Sequence, residues 1–404
     1  MTGFGTSHRR ARSARRGERI VMLLENNPYP QDVRVRSEAE SLIAVGHSVV
    51  VVAPRGLGQP ARERVRGVDV RRFRMLESRG GAAGFLAEYL VAGLALHVAA
   101  VQELLNGATV LHLHNPPDIL FPAGALYRIA GRRVVFDHHD LFPETVEDKF
   151  DRRQLAFAAR VAERLTFAVA NHVLATNESY AEIARGRGRK ATEAVTVVRN
   201  APPDSWARLA LHVRPGPLAS IRLAYLGAIA TQDGVDALAP VLARLHAQGV
   251  DATLTIIGDG DARAQLDSAL ARLGVADRVT ITGWIEWDDV PALLQKADVC
   301  VDPAPATEVN QRSTMIKIAE YLALGKPVVA FDLVETRRTA SDAALLVPAG
   351  DINGFADQIA ALARNPQLRS RLAHAARRRA EDLVWRHSEC ALLSAYAQLR
   401  GSAR

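Results

Sequence analysis

Short apolar runs that end at turn residues alternate with helical stretches twice along this chain. The first series includes ERIVMLLE, HSVVVVAP and RRVVFDHHD, and the second includes SIRLAYLG, ATLTIIGDG and KPVVAFD. Continuous apolar runs of this length are typical of strands that are buried on both faces of a parallel sheet. Strands that alternate with helices require crossover connections, so each series predicts an open α/β sheet covered by helices.

A proline-rich segment separates the two series. Residues 201–220 contain four prolines and a glycine, which favours a linker. We therefore predict an N-terminal domain at 19–200, a C-terminal domain at 221–380 and a terminal helical segment at 381–404. A chain of 404 residues suits two domains of this size. Because ligands of open parallel sheets bind beyond the carboxyl ends of the strands, residues that follow strands are the candidates for the site.

The net charge of +7 is concentrated at the N-terminus. Six arginines and Glu18 give residues 1–19 a charge of +5, which leaves +2 for the remaining 385 residues. Residues 1–18 have the composition of a disordered basic tail, which suits either a solvated extension or weak attraction to an anionic membrane. No aromatic interleaving or recognised motif favours nucleic acid. The N-terminus carries no apolar signal core, which predicts a cytoplasmic protein, located at the inner face of the membrane if the tail binds lipid.

Two further patterns concern burial. The most apolar window, FLAEYLVAGLALHVAAV at 85–101, is shorter than the roughly 20 residues that span a bilayer. A buried helix is the simplest interpretation, and a helix that contacts lipid near the acceptor is the alternative. The two cysteines lack metal-ligand spacing, and Cys300 lies in an apolar run, which predicts a buried thiol and no zinc site.

The segment NQRSTMIKIAEYLALGKPVVAFD carries the first candidate site. We predict that Ser313 caps a helix from Thr314 to Leu324, since free N–H groups at a helix N-terminus suit a diphosphate. Lys317 lies one turn into this helix. Glu320 follows three residues later, where a carboxylate can accept hydrogen bonds from two ribose hydroxyls. A capped amphipathic helix with an ordinary ion pair fits the same residues.

Polar residues also follow strands of the first series. The run VVFDHHD brings Asp137, His138, His139 and Asp140 to the sheet edge, and Asn115 follows the run LHLH. A histidine beside a carboxylate can bind metal, but a useful site needs more ligands, so we favour pocket lining or loop structure.

The segment ENNPYPQDVRVRSE makes a turn into a helix. Asn27 lies in this turn, and Gln31, Asp32 and Arg34 lie between the turn and the first turns of the helix. Arg34 and Arg36 suit an anionic ligand, and ordinary helix-surface charges fit equally well.

EYLALGKPVVAFD resembles the donor-site motif of glycosyltransferase family 4, a group of retaining enzymes with the GT-B fold. YLGAIATQDGVDAL, LTIIGDGDARAQL and VTITGWIEWDDV resemble the donor domain of that family, in the expected order, and FDHHDLFPE and VVRN resemble its acceptor domain. The resemblance runs from about Glu18 to Leu393. It implies two Rossmann-like open parallel-sheet domains that face each other across a cleft, and a C-terminal helix that packs back on the first domain.

The resemblance also implies an activity, which is transfer of a sugar from a nucleotide-diphosphate-sugar donor to a glycan or lipid-linked acceptor with retention. No tightly bound cofactor and no metal are expected. Glu320 would bind the nucleotide ribose, and His139 would lie near the anomeric carbon of the sugar. The remaining donor-binding residues that the resemblance implies are Gly227, Gly283, Thr314 and Met315. It also implies an acceptor pocket, and we predict that this pocket is lined by Asn27, Gln31, Asp32, Arg34 and Asn115.

The sequence departs from the family pattern at three positions. Arg312 stands where the family has a glutamate, and Ala228 and Asp233 stand where it commonly has cations. A diphosphate leaving group needs compensating positive charge, and our hypothesis is that Arg312 and Lys317 supply it. Two other functions remain open, a non-hydrolysing sugar-nucleotide epimerase and a non-catalytic nucleotide-sugar-binding partner.

Overall fold

A computed structural model describes residues 17–75, 81–116, 118–150 and 153–401. These residues form two compact units. The first unit contains the described chain up to Leu174, Ala184–Thr196 and the residues from Leu392 onward. The second contains Ala175–Ile183 and Val197–Ala391. The predicted basic tail lies outside the described residues except for Gly17 and Glu18.

The first series of elements builds an eight-stranded sheet with the order β3-β4-β2-β1-β5-β6-β7-β8. Its strands are β1 (Arg19–Leu23), β2 (Ser48–Pro54), β3 (Arg62–Val65), β4 (Val68–Phe73), β5 (Val110–His114), β6 (Arg133–His138), β7 (His172–Ala175) and β8 (Val195–Val197). Its helices are α1 (Val33–Ala44), α2 (Gly81–Leu105), α3 (Phe121–Ile129), α4 (Phe142–Phe150), α5 (Arg153–Val169) and α6 (Glu178–Gly186). The short β3 is antiparallel to β4, while β1, β2, β5 and β6 pair in parallel.

The second series builds a six-stranded sheet with the order β11-β10-β9-β12-β13-β14, parallel in each pair. Its strands are β9 (Ser220–Leu226), β10 (Asp251–Ile257), β11 (Val279–Ile281), β12 (Val299–Asp302), β13 (Val328–Phe331) and β14 (Ala344–Val347). Its helices are α7 (Asp204–Ala207), α8 (Leu238–Ala247), α9 (Arg263–Arg272), α10 (Val290–Lys296), α11 (Glu308–Arg312), α12 (Ile316–Ala323), α13 (Val334–Ala340), α14 (Ile352–Arg364), α15 (Pro366–Ala380) and α16 (Trp385–Gly401). The prediction of two open parallel sheets is confirmed.

Burial on both faces of the second sheet explains its uninterrupted apolar runs. Ile221, Leu223 and Val299 pack into one buried cluster, whereas Ala224 and Cys300 pack into another. Successive residues of a strand point to opposite faces, so both faces of β9 and β12 require apolar side chains. The predicted buried thiol at Cys300 is confirmed.

The segment predicted as a linker is packed against the second unit. Trp206 is buried and stacks on Trp287 with the ring centroids 4.9 Å apart. The guanidinium of Arg377 binds the backbone carbonyls of Trp206, Ala207 and Leu209. The linker interpretation of 201–220 was wrong because the segment packs on the second unit: Pro203 precedes the short helix α7, whose Trp206 supplies a large apolar side chain to the core.

The apolar window at 85–101 lies in α2, but the interpretation as a buried helix was wrong. Ala92, Leu96 and Ala100 are buried, whereas Leu90 and Leu94 are 59% and 68% exposed. Apolar residues recur on every side of this helix, so the sequence did not indicate that only one side contacts the sheet.

The C-terminal helix α16 contributes residues to the first unit from Leu392 onward. The Tyr396 hydroxyl lies 2.9 Å from His112 Nδ1, and Arg133 donates to the carbonyl of Leu399 at 3.1 Å. The last turns of the chain are therefore bonded to strands β5 and β6.

Candidate functional site

The residues predicted to bind a donor lie at one edge of the second sheet, where the strand order changes direction. Strand β9 has β10 on one side and β12 on the other, which is the position where open α/β sheets bind ligands. Gly227, Gly258 and Gly283 follow β9, β10 and β11, and all have positive φ angles. A Cβ atom at Gly258 would lie 2.1 Å from the carbonyl oxygen of Gly227, and Gly258 bridges to Gly283. The three glycines place bare backbone side by side at this edge.

Lys317 lies directly beside this row of glycines. A Cβ atom at Gly227 would meet Lys317 Cε at 3.2 Å. Lys317 Nζ donates to the Tyr225 hydroxyl and to Asp233 Oδ1, both at 3.0 Å, and lies 3.6 Å from Asp302 Oδ1. Asp233, which stands where the family commonly has a cation, is therefore an ion-pair partner of Lys317.

Two carboxylates share the single positive charge of Lys317. Burial lowers the pKa of Lys317, but Asp302, Tyr225 and Asp233 outweigh burial and raise it above its ordinary value. Burial raises the pKa of Asp302, and Lys317 opposes that shift. An approaching diphosphate meets an ammonium group whose charge is already largely matched, so Lys317 is a weaker source of positive potential than its sequence position indicated.

Glu320 lies one turn further along α12. Its side chain is buried, and it makes no hydrogen bond to the described residues. Burial raises its pKa to about 8, although Lys317 lowers it. A carboxyl group with free oxygens at this edge has the hydrogen-bonding capacity that two vicinal hydroxyls require.

The helix that carries Lys317 and Glu320 begins later than predicted. Met315 precedes the first turn of α12, no side chain caps it, and Gly325 follows its end with φ of +66°. The prediction that Ser313 caps this helix was wrong, since its hydroxyl lies 3.2 Å from the Tyr180 hydroxyl instead. The Thr314 hydroxyl accepts a hydrogen bond from Asn177 of the same unit at 3.0 Å. The first-turn amides of α12 are thus without a side-chain acceptor.

Arg312 and Lys317 differ in surroundings. The Arg312 side chain ends α11, is 45% exposed, and pairs with the exposed Glu308 at 3.2 Å. Lys317 is buried among carboxylates at the glycine row. Of the two cations that we predicted to flank the phosphate, only Lys317 lies beside Gly227.

In the first unit, Asn115 holds the loop that carries His139. Its Oδ1 atom accepts from the amides of His139 and Asp140 at 2.8 and 3.1 Å, and its Nδ2 atom donates to the carbonyl of Asp140. The side chain is fully buried. Asn115 was predicted to contact the acceptor, and this prediction was wrong because every polar atom of its amide group is used to fix the loop.

Asp137 is the centre of a buried network at the same edge. Its Oδ2 atom receives Arg34 Nε at 2.6 Å and lies 2.9 Å from His114 Nδ1 and 3.3 Å from His139 Nδ1. Burial raises the pKa of Asp137, but Arg34 and His139 outweigh it and hold the pKa well below its ordinary value. A carboxylate facing His139 Nδ1 favours a proton on that atom and leaves Nε2 as the acceptor.

Arg34 is a structural cation and does not line a pocket. It forms a bidentate pair with Asp137, its Nη2 atom lies 3.2 Å from Glu38 Oε1, and its side chain is 6% exposed. The prediction that Arg34 contacts an acceptor was wrong, because its guanidinium nitrogens contact the buried carboxylates of Asp137 and Glu38. Asp32 instead caps α1 by accepting from the amide of Val35. Asn27 and Gln31 are exposed, and Gln31 contacts Gln59.

The ligand atoms of Glu38, His112, His114 and Asp137 lie within 4.8 Å of one another, which is close enough to hold a metal ion. The guanidinium of Arg34 already contacts both carboxylates, and the Tyr396 hydroxyl bonds to His112 Nδ1. Burial lowers the pKa of both histidines and raises that of Glu38 well above its ordinary value. Both carboxylate oxygens of Glu38 and the Nε2 atoms of His112 and His114 have no hydrogen-bond partner among the described residues. The Arg34 cation lies against both carboxylates and would repel a second positive charge, so the cluster does not fit a resident metal.

Sequence reasoning missed the partners that complete both sites. Tyr225 and Asp302 around Lys317 end two strands that are not neighbours along the chain, and Arg34 reaches Asp137 across 103 positions. The one available signal was that Asp137 and Asp302 end apolar runs, where a lone carboxylate is costly to bury and must have a partner.

Comparison with known proteins identifies the family of this chain. A family model described as glycosyl transferases group 1 matches residues 220–365, and one described as a glycosyl transferase 4-like domain matches residues 31–201. Together the two ranges cover more than three quarters of the chain. The chain therefore belongs to the family-4-like glycosyltransferases with the GT-B fold.

Curated relatives match the chain over part of its length. The alpha-D-kanosaminyltransferase of Streptomyces kanamyceticus is 31% identical over 37% of this chain and 38% of that protein. The lipopolysaccharide core biosynthesis glycosyltransferase LpsE of Rhizobium meliloti is 33% identical over 44% of this chain and 48% of that protein. The chain thus spans less than half the length of either relative.

A solved structure agrees with the fold over nearly the whole chain. HepE of Anabaena in complex with UDP and glucose has a TM-score of 0.67 at 18% identity, covering 95% of this chain and 98% of that one.

Proposed function

We propose that this protein transfers a sugar from a nucleotide-diphosphate-sugar donor to a hydroxyl group of a glycan or lipid-linked acceptor, with retention, in the assembly of cell-surface polysaccharide. The observation that carries the proposal is the edge beyond β9, where bare glycine backbone, the Lys317 ammonium and the free Glu320 carboxyl lie together. The family assignment and the UDP and glucose bound to HepE support the donor class.

Each donor-site residue has a role in this proposal. Gly227 and Gly283 allow the backbone to approach the donor, because no Cβ atom stands in the way. The uncapped N-terminus of α12, which Thr314 and Met315 precede, holds the diphosphate. Glu320 accepts hydrogen bonds from the ribose hydroxyls.

The chemistry is a front-face displacement at the anomeric carbon. The bond to the diphosphate oxygen breaks, the acceptor oxygen bonds to the same face, and the leaving phosphate oxygen takes the proton of the acceptor hydroxyl. His139 Nε2 accepts a hydrogen bond from a donor-sugar hydroxyl, with its ring held by Asp137. Lys317 stabilises the charge that develops on the diphosphate. Asn27 and Gln31 are the candidates for acceptor contact because both are exposed.

We also propose that the protein needs neither a tightly bound cofactor nor a metal, and that it works in the cytoplasm at the inner face of the membrane. The absence of a metal requirement predicts that dialysis against EDTA leaves the rate of sugar transfer unchanged. A rate that falls and is restored by Mg²⁺ or Mn²⁺ would contradict this part.

The first experiment is a thermal-shift panel of UDP-, GDP- and dTDP-sugars on the full chain. A donor at 100 times its Kd adds about 2.7 kcal/mol of stability to the state that binds it. The donor found in this way is then incubated with acceptor extracts, and NMR of the product reports the anomeric configuration. Donor incubated alone is the control for an epimerase, which needs no acceptor. Absence of a shift with every nucleotide sugar would overturn the proposal.

A non-catalytic nucleotide-sugar-binding partner is the second candidate. Two carboxylates match the charge of Lys317, and Arg312 pairs with Glu308, so little positive potential is free for a leaving diphosphate. This candidate predicts a thermal shift with a donor but no donor consumption with any acceptor extract.

A further inference from the structure

Helix α2 presents an apolar stripe to its surroundings. Leu90, Leu94, Val98, Val101 and Leu105 are all exposed, Leu105 to 82%. Their spacing of three or four residues places them on one face over about 22 Å, at 1.5 Å per residue. A surface helix ordinarily turns polar side chains to water, so α2 has this pattern inverted.

The side of α2 that packs on the first unit carries a buried acidic residue. Glu103 is fully buried and pairs with Arg19 at 2.8 Å and with Arg71. By length and composition, Ala87–Leu105 could cross a membrane. Crossing would separate Glu103 from both arginines and expose the sheet beneath Leu96 and Ala100. The contacts therefore favour a helix that lies on the first unit with one side turned outward.

Helices α3 and α5 extend this surface. Tyr127 of α3 donates to the carbonyl of Ala100 of α2 at 3.0 Å, and Gly124 of α3 packs on Val169 of α5. Helix α3 thus lies between α2 and α5. Ile129 and Phe157 expose 85% and 69% of their surface on these two helices, so the apolar area is not confined to α2.

The exposed charges on the three helices have one sign. The exposed charged residues described there are Arg128, Arg153, Arg160 and Arg164. Of the described carboxylates on these helices, Glu103 and Glu163 are buried and Glu88 is half-buried. Arg160 pairs with Glu147 of α4, and the other three add positive charge on α3 and α5. An apolar face bordered by arginines is complementary to anionic lipid headgroups above acyl chains.

A basic cavity lies at the end of the stripe. The amide of Arg133 donates to the carbonyl of Thr109, which follows α2, so the ends of α2 and α3 lie at the same edge. A cavity of about 600 Å³ at this edge is lined by Arg128, Arg132 and Arg133, and Glu193 is the one carboxylate among its described lining residues. Arg19, the first residue of β1, pairs with Glu103 in the last turns of α2.

We propose that the outward faces of α2, α3 and α5, here named the helical docking face, bind an anionic lipid bilayer with α2 in the plane of the interface. Tyr89, in the third turn of α2, packs on Phe142 with the ring centroids 5.4 Å apart, and Phe142 follows His139 by three residues. The bilayer would thus lie next to the loop that carries His139. A bilayer at this position would bring a lipid-linked acceptor close to His139. That consequence rests on the proposed function, whereas the binding of lipid does not.

The test is sedimentation of the full chain with phosphatidylcholine vesicles, with and without an equal part of phosphatidylglycerol. We expect binding to the anionic vesicles that weakens as salt is raised. The double variant Leu94→Gln, Val98→Gln should bind at least tenfold more weakly, because apolar area no longer enters the acyl region. The matched control is Leu57→Gln, since Leu57 is fully exposed in the loop between β2 and β3 and lies away from α2.

A second double variant, Arg153→Gln, Arg164→Gln, should reduce binding to anionic vesicles about tenfold and flatten its salt dependence, with little effect on uncharged vesicles. Circular dichroism, the thermal midpoint and donor binding should match wild type in all variants, so a failure of lipid binding is separable from a failure of sugar transfer. Equal binding by wild type and the Leu94, Val98 variant would overturn the proposal. A wild-type dimer that this variant converts to monomer, without vesicle binding, would show a subunit interface instead.

Discussion

Each unit contains one buried cation that two carboxylates share. In the first unit Arg34 forms ion pairs with Asp137 and Glu38, and both acids are completely buried. In the second unit Lys317 forms ion pairs with Asp233 and Asp302, and the side chain of Asp233 is 20% exposed. The guanidinium fork fixes two oxygens of Asp137 at once, whereas the ammonium is a single point that can turn toward another anion. The same charge count therefore supports a rigid loop in one unit and a ligand site in the other.

The comparison predicts the largest effect on stability at Arg34. Arg34→Ala leaves Asp137 and Glu38 buried without a cation, which should lower the free energy of unfolding of the first unit by about 3–5 kcal/mol. Calorimetry on the full chain measures this loss. Arg36→Ala, two positions along α1, is the control and should stay near wild type, since Arg36 makes no ion pair with the described residues. Equal stability of Arg34→Ala and wild type would refute the structural role.

Glu320 should make the stability of the second unit depend on pH. Its pKa is raised from 4.5 to about 8, so the folded state binds more protons than the unfolded state between these values. The contribution is complete below about pH 4.5 and is lost as pH rises through 8, a change on the order of a few kcal/mol. Glu320→Gln should therefore gain stability over wild type as pH increases from 5 to 9, as followed by thermal midpoints. Glu308→Gln, an exposed acid, should show no such trend.

Donor binding should separate Lys317 from Arg312. Lys317→Ala removes the cation beside Gly227 and should weaken nucleotide-sugar binding about a hundredfold, equivalent to about 2.7 kcal/mol. Arg312→Ala should weaken nucleotide-sugar binding about threefold or less, because the Arg312 side chain is exposed and paired with an exposed acid. Titration calorimetry with the donor found by thermal shift measures both. Near-wild-type affinity in both variants would exclude a charge role for either.

The smallest expected effect is at Asp233. Asp233→Asn removes one of the two carboxylates that match Lys317, so the ammonium should bind the donor diphosphate about fivefold more tightly, or about 1 kcal/mol. Asp236→Asn, an exposed neighbour, is the control. Weaker donor binding in Asp233→Asn would mean that Asp233 holds Lys317 in place and does not compete with the ligand.

The sequence allowed both sheets to be predicted because a strand buried on two faces leaves an uninterrupted apolar run, as at β9 and β12. The offset along a helix indicated Glu320, and the family resemblance implied Gly227, because both depend on local stretches of sequence. Ion-pair partners are long-range, so Asp233 could only be interpreted as a missing cation and Arg34 as a surface charge. Composition likewise described α2 as apolar without telling which side the sheet covers.

The stacked pair of Trp206 and Trp287 has a practical consequence for all of these measurements. The chain has four tryptophans, Trp206, Trp284, Trp287 and Trp385, and all of them belong to the second unit. Emission excited at the red edge of the indole absorption therefore reports on that unit alone, whereas circular dichroism reports on both. A loss of circular dichroism at unchanged tryptophan emission would mark unfolding of the first unit by itself.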